Sequence, residues 1–434
     1  MDKLMNSKFF TGIQNLGGKM GNNKYLQAIS GGLMGTMAIT MIGAVMMILT
    51  SILQMLKLIT PASQIYSTLM MPYNMTMGMI SLYTSFTIAY VLARSLKINP
   101  LANAIVSASI FLMVAAPSTS YKLEGGGGIS AIPTSNLSAV GLFTAILVAL
   151  LSVRITKFCL DKKIVIHLPD SVPGFLGEAF KSILPFAINT ILFLGVSIAV
   201  NNFTGMSLPI AITTLLSYPL QGLTSFWGIL LVTVFALLLW AVGIHGSMLA
   251  YLVLMVPYMQ VITANADLVA AGNDPVYNPL LLRTVIGILG GTGNTLALII
   301  LTLRSKSSQL KAVSRASFIP GLFNINEPAI FGFPITYNPI LAIPFILNPL
   351  ILMVLYHIGY AIGLLTPPYI LIQTPLPVGL LSFFSTMSPI NLIWDIAMIF
   401  VGMIIWYPFV KTYEKQLIDK EKTENKQELE GARI

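Results

Sequence analysis

Two long stretches without a charged residue constrain this chain more than any other feature. No Asp, Glu, Lys or Arg occurs from Ser182 to Ala266 or from Pro328 to Trp394. An apolar run of about 20 residues suffices for a membrane-spanning helix. Strand-type alternation is absent, and a lipid-embedded backbone must satisfy its own hydrogen bonds, so helices do the spanning. Only 9% of the residues are charged, whereas soluble domains carry about 25%. The sequence therefore predicts an all-α polytopic membrane protein.

The positive charges indicate orientation rather than nucleic-acid binding. The formal net charge is +9, but the lysines and arginines lie in short loops between apolar runs, as the positive-inside rule describes. We therefore expect a multi-pass protein of the cell membrane, partnered by the lipid bilayer and by no nucleic acid. Both termini are expected in the cytoplasm. Residues 1–24 are polar and basic, which predicts no cleaved signal.

The apolar segments predict about ten transmembrane helices. The cytoplasmic loop that begins at Arg304 requires an even number of crossings before it. The segment after Met255 is the weakest crossing, because it contains Pro257 and Asp267. The predicted spans are residues 26–53, 72–93, 101–116, 137–158, 186–201, 227–254, 255–271, a glycine-rich helix opened by Arg283, 341–365 and 390–409.

The polar segments between the spans predict shorter elements. Residues 167–181 indicate an interfacial amphipathic helix beginning near Ser171, with His167 taking no part in chemistry. Residues 121–130, which contain GGGG, predict a flexible outer loop. Residues 202–221 predict a connector along the membrane surface.

A shift in composition near Gly205 predicts the domain organisation. Before it, spans alternate with short charged loops, and after it Pro, Gly and Asn interrupt the apolar segments. We expect residues 1–205 to form a scaffold and dimerisation half. Residues 206–410 would form the half that carries the site, and residues 411–434 a solvated, charged cytoplasmic tail.

The stretch from Ile319 to Pro339 (IPGLFNINEPAIFGFPITYNP) holds the most informative residue, Glu327. Its four prolines forbid one continuous helix, so the sequence predicts a re-entrant hairpin with an irregular tip. Such backbone is tolerated at membrane depth only where it lines a cavity. A carboxylate there indicates a functional site, although pairing with a structural base at a helix end would also explain it.

Two histidines lie within apolar segments. His245 interrupts a strongly apolar helix between Gly243 and Gly246, and the two glycines let backbone or ligand approach closely. We expect His245 to be functional, although a core histidine is the common alternative. His357 is expected to be structural.

Further polar groups surround this region in sequence. Arg283 precedes Gly287, Gly290, Gly291 and Gly293, which resemble a phosphate cradle, but the Lys-Ser or Lys-Thr of nucleotide-binding loops is missing. Asn294 offers an amide within the membrane. Asp395 could support the site or neutralise Arg283, and the sequence leaves both alternatives open.

One Glu, one His, several Asn and nearby tryptophans match the needs of a saccharide. Polar groups bind sugar hydroxyls, while aromatic faces pack on apolar sugar faces. No acidic cluster indicates a hard-cation site, and the single cysteine, Cys159, excludes an internal disulfide and a cysteine-rich metal site. We expect neither a metal nor a cofactor.

The run NINEPAIFGFPITYNP, the GIHGS and GGTGN segments and the whole-length layout resemble the membrane-embedded IIC component of the bacterial phosphotransferase system, lactose/cellobiose (chitobiose) type. The resemblance covers essentially the full chain. It implies an amino-terminal half that forms a homodimer and a carboxy-terminal half that carries the sugar across the membrane as a rigid body. Glu327 and His245 correspond to the catalytic, sugar-contacting pair of that family, and Asn326, Asn294, Arg283 and Trp240 to further substrate-binding residues.

The resemblance implies inward transport of a β-linked disaccharide such as cellobiose or diacetylchitobiose. The sugar 6-hydroxyl would be phosphorylated by a separate cytoplasmic IIB protein, itself phosphorylated by IIA. The phosphoryl donor is expected on IIB, because Cys159 lies in no soluble context. A proton-coupled disaccharide carrier, in which Glu327 titrates and nothing is phosphorylated, is the alternative.

Overall fold

The computed structural model describes Lys19 and residues 22–122, 128–166, 174–241, 243–336 and 338–431. Nearly all regular structure in these residues is helical. The helices are α1 Lys24–Gly35, α2 Met37–Met55, α3 Gln64–Thr76, α4 Ile80–Ser95, α5 Pro100–Ala115, α6 Leu142–Asp161, α7 Gly174–Thr204, α8 Leu208–Thr224, α9 Phe226–Ala241, α10 Gly246–Ala270, α11 Leu296–Thr302, α12 Ser308–Leu322, α13 Glu327–Gly332, α14 Pro339–Ala361, α15 Leu380–Thr386 and α16 Pro389–Gly431. Short 3₁₀ helices occur at Met77–Met79, Ser135–Leu137, Ala139–Gly141 and Pro279–Ile286.

The described helices confirm the predicted polytopic all-α class. Seven segments are long and apolar enough to cross a membrane, and the pair α8 and α9, bent by 70°, makes an eighth. The seven are Lys24–Met55, Gln64–Ser95, Ala139–Asp161, Phe180–Thr204, Gly246–Ala270, Pro339–Ala361 and Pro389–Thr423. The exact count of ten is not confirmed within the described residues.

One predicted crossing boundary is wrong. The sequence suggests a new segment at Met255, but α10 continues from Gly246 to Ala270 with Pro257 inside it. The break lies instead just before Gly246. A proline removes only one helical hydrogen bond, which buried neighbours can compensate in a membrane protein.

Three further segments differ from expectation. The predicted flexible loop is framed by a two-stranded antiparallel sheet, β1 Thr119–Lys122 and β2 Gly128–Ala131, in which Tyr121 pairs with Ile129. The predicted interfacial helix joins the following span in α7, which runs through Pro185. His167 and Ser171 lie outside the described residues. The predicted tail is helical, because α16 extends to Gly431. It is not solvated throughout, because Glu414 is only 7% exposed.

Contacts divide the chain into two compact units. The first contains Met20–Gln221 and Met255–Thr263. Within it α1 packs directly on α4, since a Cβ added at Gly32 would lie 2.3 Å from Ile88 Cγ1. The predicted boundary near Gly205 falls at the break between α7 and α8 and stays a prediction of domain organisation.

The second unit contains Gly222–Leu254 and Ala264–Ile434. Its apolar core gathers α9, α11, α13, α14 and α16 around the fully buried Phe333, Phe345 and Trp406. Trp240, five residues before His245, and Ala329, two residues after Glu327, belong to this core.

Candidate functional site

The break between α9 and α10 positions His245. A Cβ at Gly246 would lie 1.9 Å from the Ala236 carbonyl oxygen, so only glycine lets α10 begin this close to α9. His245 caps α10, and its Nδ1 accepts a hydrogen bond from the Met248 N–H at 3.3 Å. In the neutral ring the proton is then on Nε2, which becomes a donor. The ring is exposed and lies 4.4 Å, between centroids, from the buried ring of Trp240.

The glycine-rich segment after Arg283 is not the predicted helix. The 3₁₀ helix ends at Ile286, turns follow, and α11 begins only at Leu296. Gly290, Gly291 and Gly293 have φ values of +94°, +80° and +84°. Glycine alone adopts such angles without strain, so these positions break a helix despite the apolar sequence around them. The segment is a compact loop, here called the glycine loop (residues 287–295).

The side chain of Asn294 holds the glycine loop together. Its Oδ1 accepts from the Leu289 N–H at 3.0 Å, and its Nδ2 donates to the Val285 carbonyl at 2.8 Å. Asn294 itself has φ +53° and is 1% exposed. Asn294 therefore stabilises the loop, and its predicted contact with the sugar stays a prediction.

The turn between α12 and α13 positions Glu327. Asn324 has φ +62°, and its Oδ1 accepts from the Gly290 N–H at 2.8 Å. Asn326 Nδ2 donates to the Thr292 carbonyl at 2.6 Å and to Thr295 Oγ1 at 3.2 Å. The predicted irregular tip is thus present, and it is bonded to the glycine loop.

Glu327 and Asn326 differ sharply in exposure although they are neighbours. Asn326 is 4% exposed, whereas Glu327, the first residue of α13, is exposed. Among the described residues, the Glu327 carboxylate forms no hydrogen bond or ion pair. The amide therefore supports the turn, and the carboxylate stays available to a ligand.

Two hydroxyls that the sequence analysis did not select join the His245 segment to the glycine loop. Trp240 Nε1 donates to Ser247 Oγ at 3.0 Å, and Ser247 Oγ lies 2.8 Å from Thr292 Oγ1. The sequence offered one indication of these two residues, because Ser247 lies in the GIHGS segment and Thr292 in the GGTGN segment. Residues 245–247, the glycine loop and residues 324–327 thus form one hydrogen-bonded assembly, here called the polar cluster.

Arg283 and Asp395 make contacts of their own. The Arg283 guanidinium is half-buried, 5.7 Å from the centre of the Tyr251 ring. Asp395 is fully buried and accepts a hydrogen bond from the Tyr356 hydroxyl, which replaces the suggested pairing with Arg283. His357 bonds to the Tyr277 hydroxyl at 2.7 Å through Nδ1, which agrees with the structural role expected for it.

The arrangement can be compared with known proteins. The family description "Phosphotransferase system, EIIC" matches residues 30–349. The chain belongs to this family. It is accordingly a multi-pass membrane sugar permease of the EIIC type, a class that works with a IIB protein, and the resemblance noted from the sequence is confirmed.

Relatives of this EIIC chain are similar over nearly its whole length. The oligo-beta-mannoside-specific EIIC component of Bacillus subtilis is 29% identical over 424 residues, covering 95% of each chain. The lactose-specific EIICB component of Streptococcus mutans is 30% identical, covering 93% of this chain and 71% of that longer protein. The crystal structure of ChbC, the IIC component of an N,N'-diacetylchitobiose-specific system, superposes with a TM-score of 0.86 at 28% identity, covering 94% of this chain and 98% of that one.

Proposed function

We propose that this EIIC chain moves a β-linked disaccharide, such as cellobiose or diacetylchitobiose, into the cell and presents its 6-hydroxyl to a separate IIB protein. The relatives support a β-linked substrate. Their names refer to oligo-β-mannosides, lactose, lichenan and diacetylchitobiose, all of which contain β-glycosidic bonds. IIA would phosphorylate IIB, whose phosphocysteine is the donor.

One observation carries the proposal: the polar cluster buries the amides of Asn294 and Asn326 and leaves its two ionisable side chains exposed. Asn326 and Asn294 are 4% and 1% exposed, whereas Glu327 and His245 are exposed. A sugar hydroxyl needs both a hydrogen-bond acceptor and a donor, which a carboxylate and the Nε2–H of a neutral imidazole provide.

The proposed chemistry assigns the proton to Glu327. As the sugar O6 attacks phosphorus, the O6–P bond forms and the bond from phosphorus to the IIB cysteine sulfur breaks. The thiolate leaves with the electron pair, and the O6 proton passes to the Glu327 carboxylate. His245 holds the hydroxyl and carboxylate in place. Positioning dominates phosphoryl transfer, and general-base help adds about 10² to 10⁴-fold.

The remaining predicted residues take supporting places in this proposal. Trp240 orients the His245 segment through ring contact and its bond to Ser247. Asn326 fixes the turn before Glu327. Arg283, half-buried against Tyr251, is proposed as a further sugar contact at the edge of the site. We further propose a homodimer formed by the amino-terminal half, with both termini in the cytoplasm.

The product formed inside vesicles tests the proposal. Vesicles bearing the purified chain, supplied with IIB, IIA and their phosphate donor chain, should accumulate disaccharide 6-phosphate. Delivery of unmodified disaccharide would refute the proposal and favour the proton-coupled carrier. A binding panel of cellobiose, diacetylchitobiose and lactose identifies the preferred sugar.

A further inference from the structure

The Ser247 and Thr292 hydroxyls carry two hydrogens, and their described contacts use only one of them. The Trp240 indole is a donor only, so Ser247 Oγ is the acceptor in their 3.0 Å bond. The 2.8 Å bond between the hydroxyls uses one of their two hydrogens, whichever residue donates it. In the described part of the chain the other hydrogen has no acceptor. Both residues are half-buried, so neither hydroxyl is sealed in the core.

The unused donor is a group to which water or a ligand can bind. A polar group left without a partner in a partly buried site costs free energy, which water or a ligand must offset. The hydroxyl pair lies within the polar cluster: Ser247 is two residues after His245, and the Thr292 carbonyl accepts from Asn326, which precedes Glu327. A saccharide held by Glu327 and His245 presents hydroxyl and ring oxygens, all of them acceptors.

We propose that the Ser247–Thr292 pair is a substrate-binding group of this site and donates its uncommitted hydrogen to an oxygen of the bound disaccharide. The inference rests on the proposed function and adds two residues to its sugar site. In this proposal Ser247, whose oxygen already accepts from Trp240 Nε1, donates to Thr292 Oγ1, and the Thr292 hydroxyl donates to the sugar.

Sugar binding by purified full-length variants tests this assignment. Thr292→Val removes the hydroxyl while retaining the branched shape, and Thr292→Ser retains the hydroxyl. Thr412→Val is the matched control, because the Thr412 hydroxyl bonds only within α16, to the Pro408 carbonyl at 2.9 Å. Calorimetry with the best-bound member of the cellobiose, diacetylchitobiose and lactose panel gives each dissociation constant.

The expected results separate a sugar contact from a structural role. Thr292→Val should raise the dissociation constant about fivefold, as for one neutral hydrogen bond, whereas Thr292→Ser and Thr412→Val should stay close to wild type. One monodeoxy analogue should bind wild type about fivefold more weakly than the parent sugar does. The same analogue should bind Thr292→Val no more weakly than it binds wild type, because removing the sugar hydroxyl and removing the Thr292 hydroxyl break the same bond. A structural role would instead weaken every analogue by the same factor.

Two results would overturn the inference while leaving the proposed function intact. The first is wild-type affinity in Thr292→Val, and the second is an equal loss in Thr292→Ser and Thr292→Val. If the wild-type chain binds none of the panel sugars and forms no sugar phosphate with IIB, the proposed function fails, and the inference fails with it.

Discussion

Replacing Gly291 with alanine should displace the turn that presents Glu327. Gly291 has φ +80°, and an added Cβ would lie 2.4 Å from Asn326 Cγ and 2.7 Å from Asn326 Cβ. Such distances are too short for any real contact, and rotating the amide alone would not relieve them, because Cβ also clashes. Asn326 must therefore move, and Glu327 is its direct neighbour.

Gly272→Ala is a closely matched control. Gly272 also has φ +80°, but nothing lies within 4 Å of its added Cβ. Both variants therefore carry the same backbone strain of about 1–2 kcal/mol for an L-residue in the left-handed region. Only Gly291→Ala also displaces Asn326, whose bonds to the Thr292 carbonyl and Thr295 hydroxyl contribute about 1 kcal/mol each. This difference of about 2 kcal/mol lowers the fraction of protein in which the turn presents Glu327 correctly by roughly 30-fold.

The assay compares sugar phosphorylation by both variants in IIB-supplied vesicles, with melting temperatures to normalise for folding. Gly291→Ala should show a rate about 30-fold below that of Gly272→Ala at similar protein amounts. Equal rates for the two variants would show that contact between the glycine loop and Asn326 does not position the site.

Further predictions address the acid, the tail and the assembly. Glu327→Gln should abolish phosphorylation and leave sugar binding measurable, because an amide accepts hydrogen bonds but takes no proton; full vesicle activity would remove the role assigned to Glu327. Glu414→Ala should lower the melting temperature more than Asp419→Ala, because Asp419 is exposed, whereas Glu414 is 7% exposed and its loss leaves the Ser305 hydroxyl and Lys306 N–H without their acceptor, at a cost of about 1–3 kcal/mol. Equal melting shifts would contradict that reasoning. Crosslinking through the amino-terminal half should trap a dimer, and a strictly monomeric protein in mild detergent would count against it.

The helical fold and the turn before Glu327 could be predicted from the sequence. Uncharged apolar runs leave the backbone no partner but itself, so helices follow from composition. The turn follows from Pro328, which lacks the N–H that a continuing helix needs and favours the start of a new helix, and from the asparagines at 324 and 326. Asn324 does adopt the left-handed conformation that asparagine tolerates better than most residues.

The glycine loop and the tail were harder to predict because tertiary partners decide them. Residues after Arg283 have helical apolar content, and side-chain bonds from Asn294, Asn324 and Asn326 stabilise the compact loop instead. Glu414 is charged and reads as solvated, yet the Ser305 hydroxyl and Lys306 N–H draw it into a buried position. The pairing of Ser247 with Thr292 is equally invisible to local patterns.

The side chains of the polar cluster have different roles because their hydrogen-bonding chemistry differs. Loops at membrane depth must satisfy both N–H and carbonyl groups, and an amide, carrying donors and an acceptor without charge, does both. Asn294 and Asn326 are used in this way and are buried. A carboxylate only accepts, so burying Glu327 in the same role would cost more and support less. Amide variants should therefore weaken binding and transfer together, because they disturb geometry. Glu327 variants should lower the transfer rate far more than affinity, because they remove the proton acceptor from an otherwise intact site.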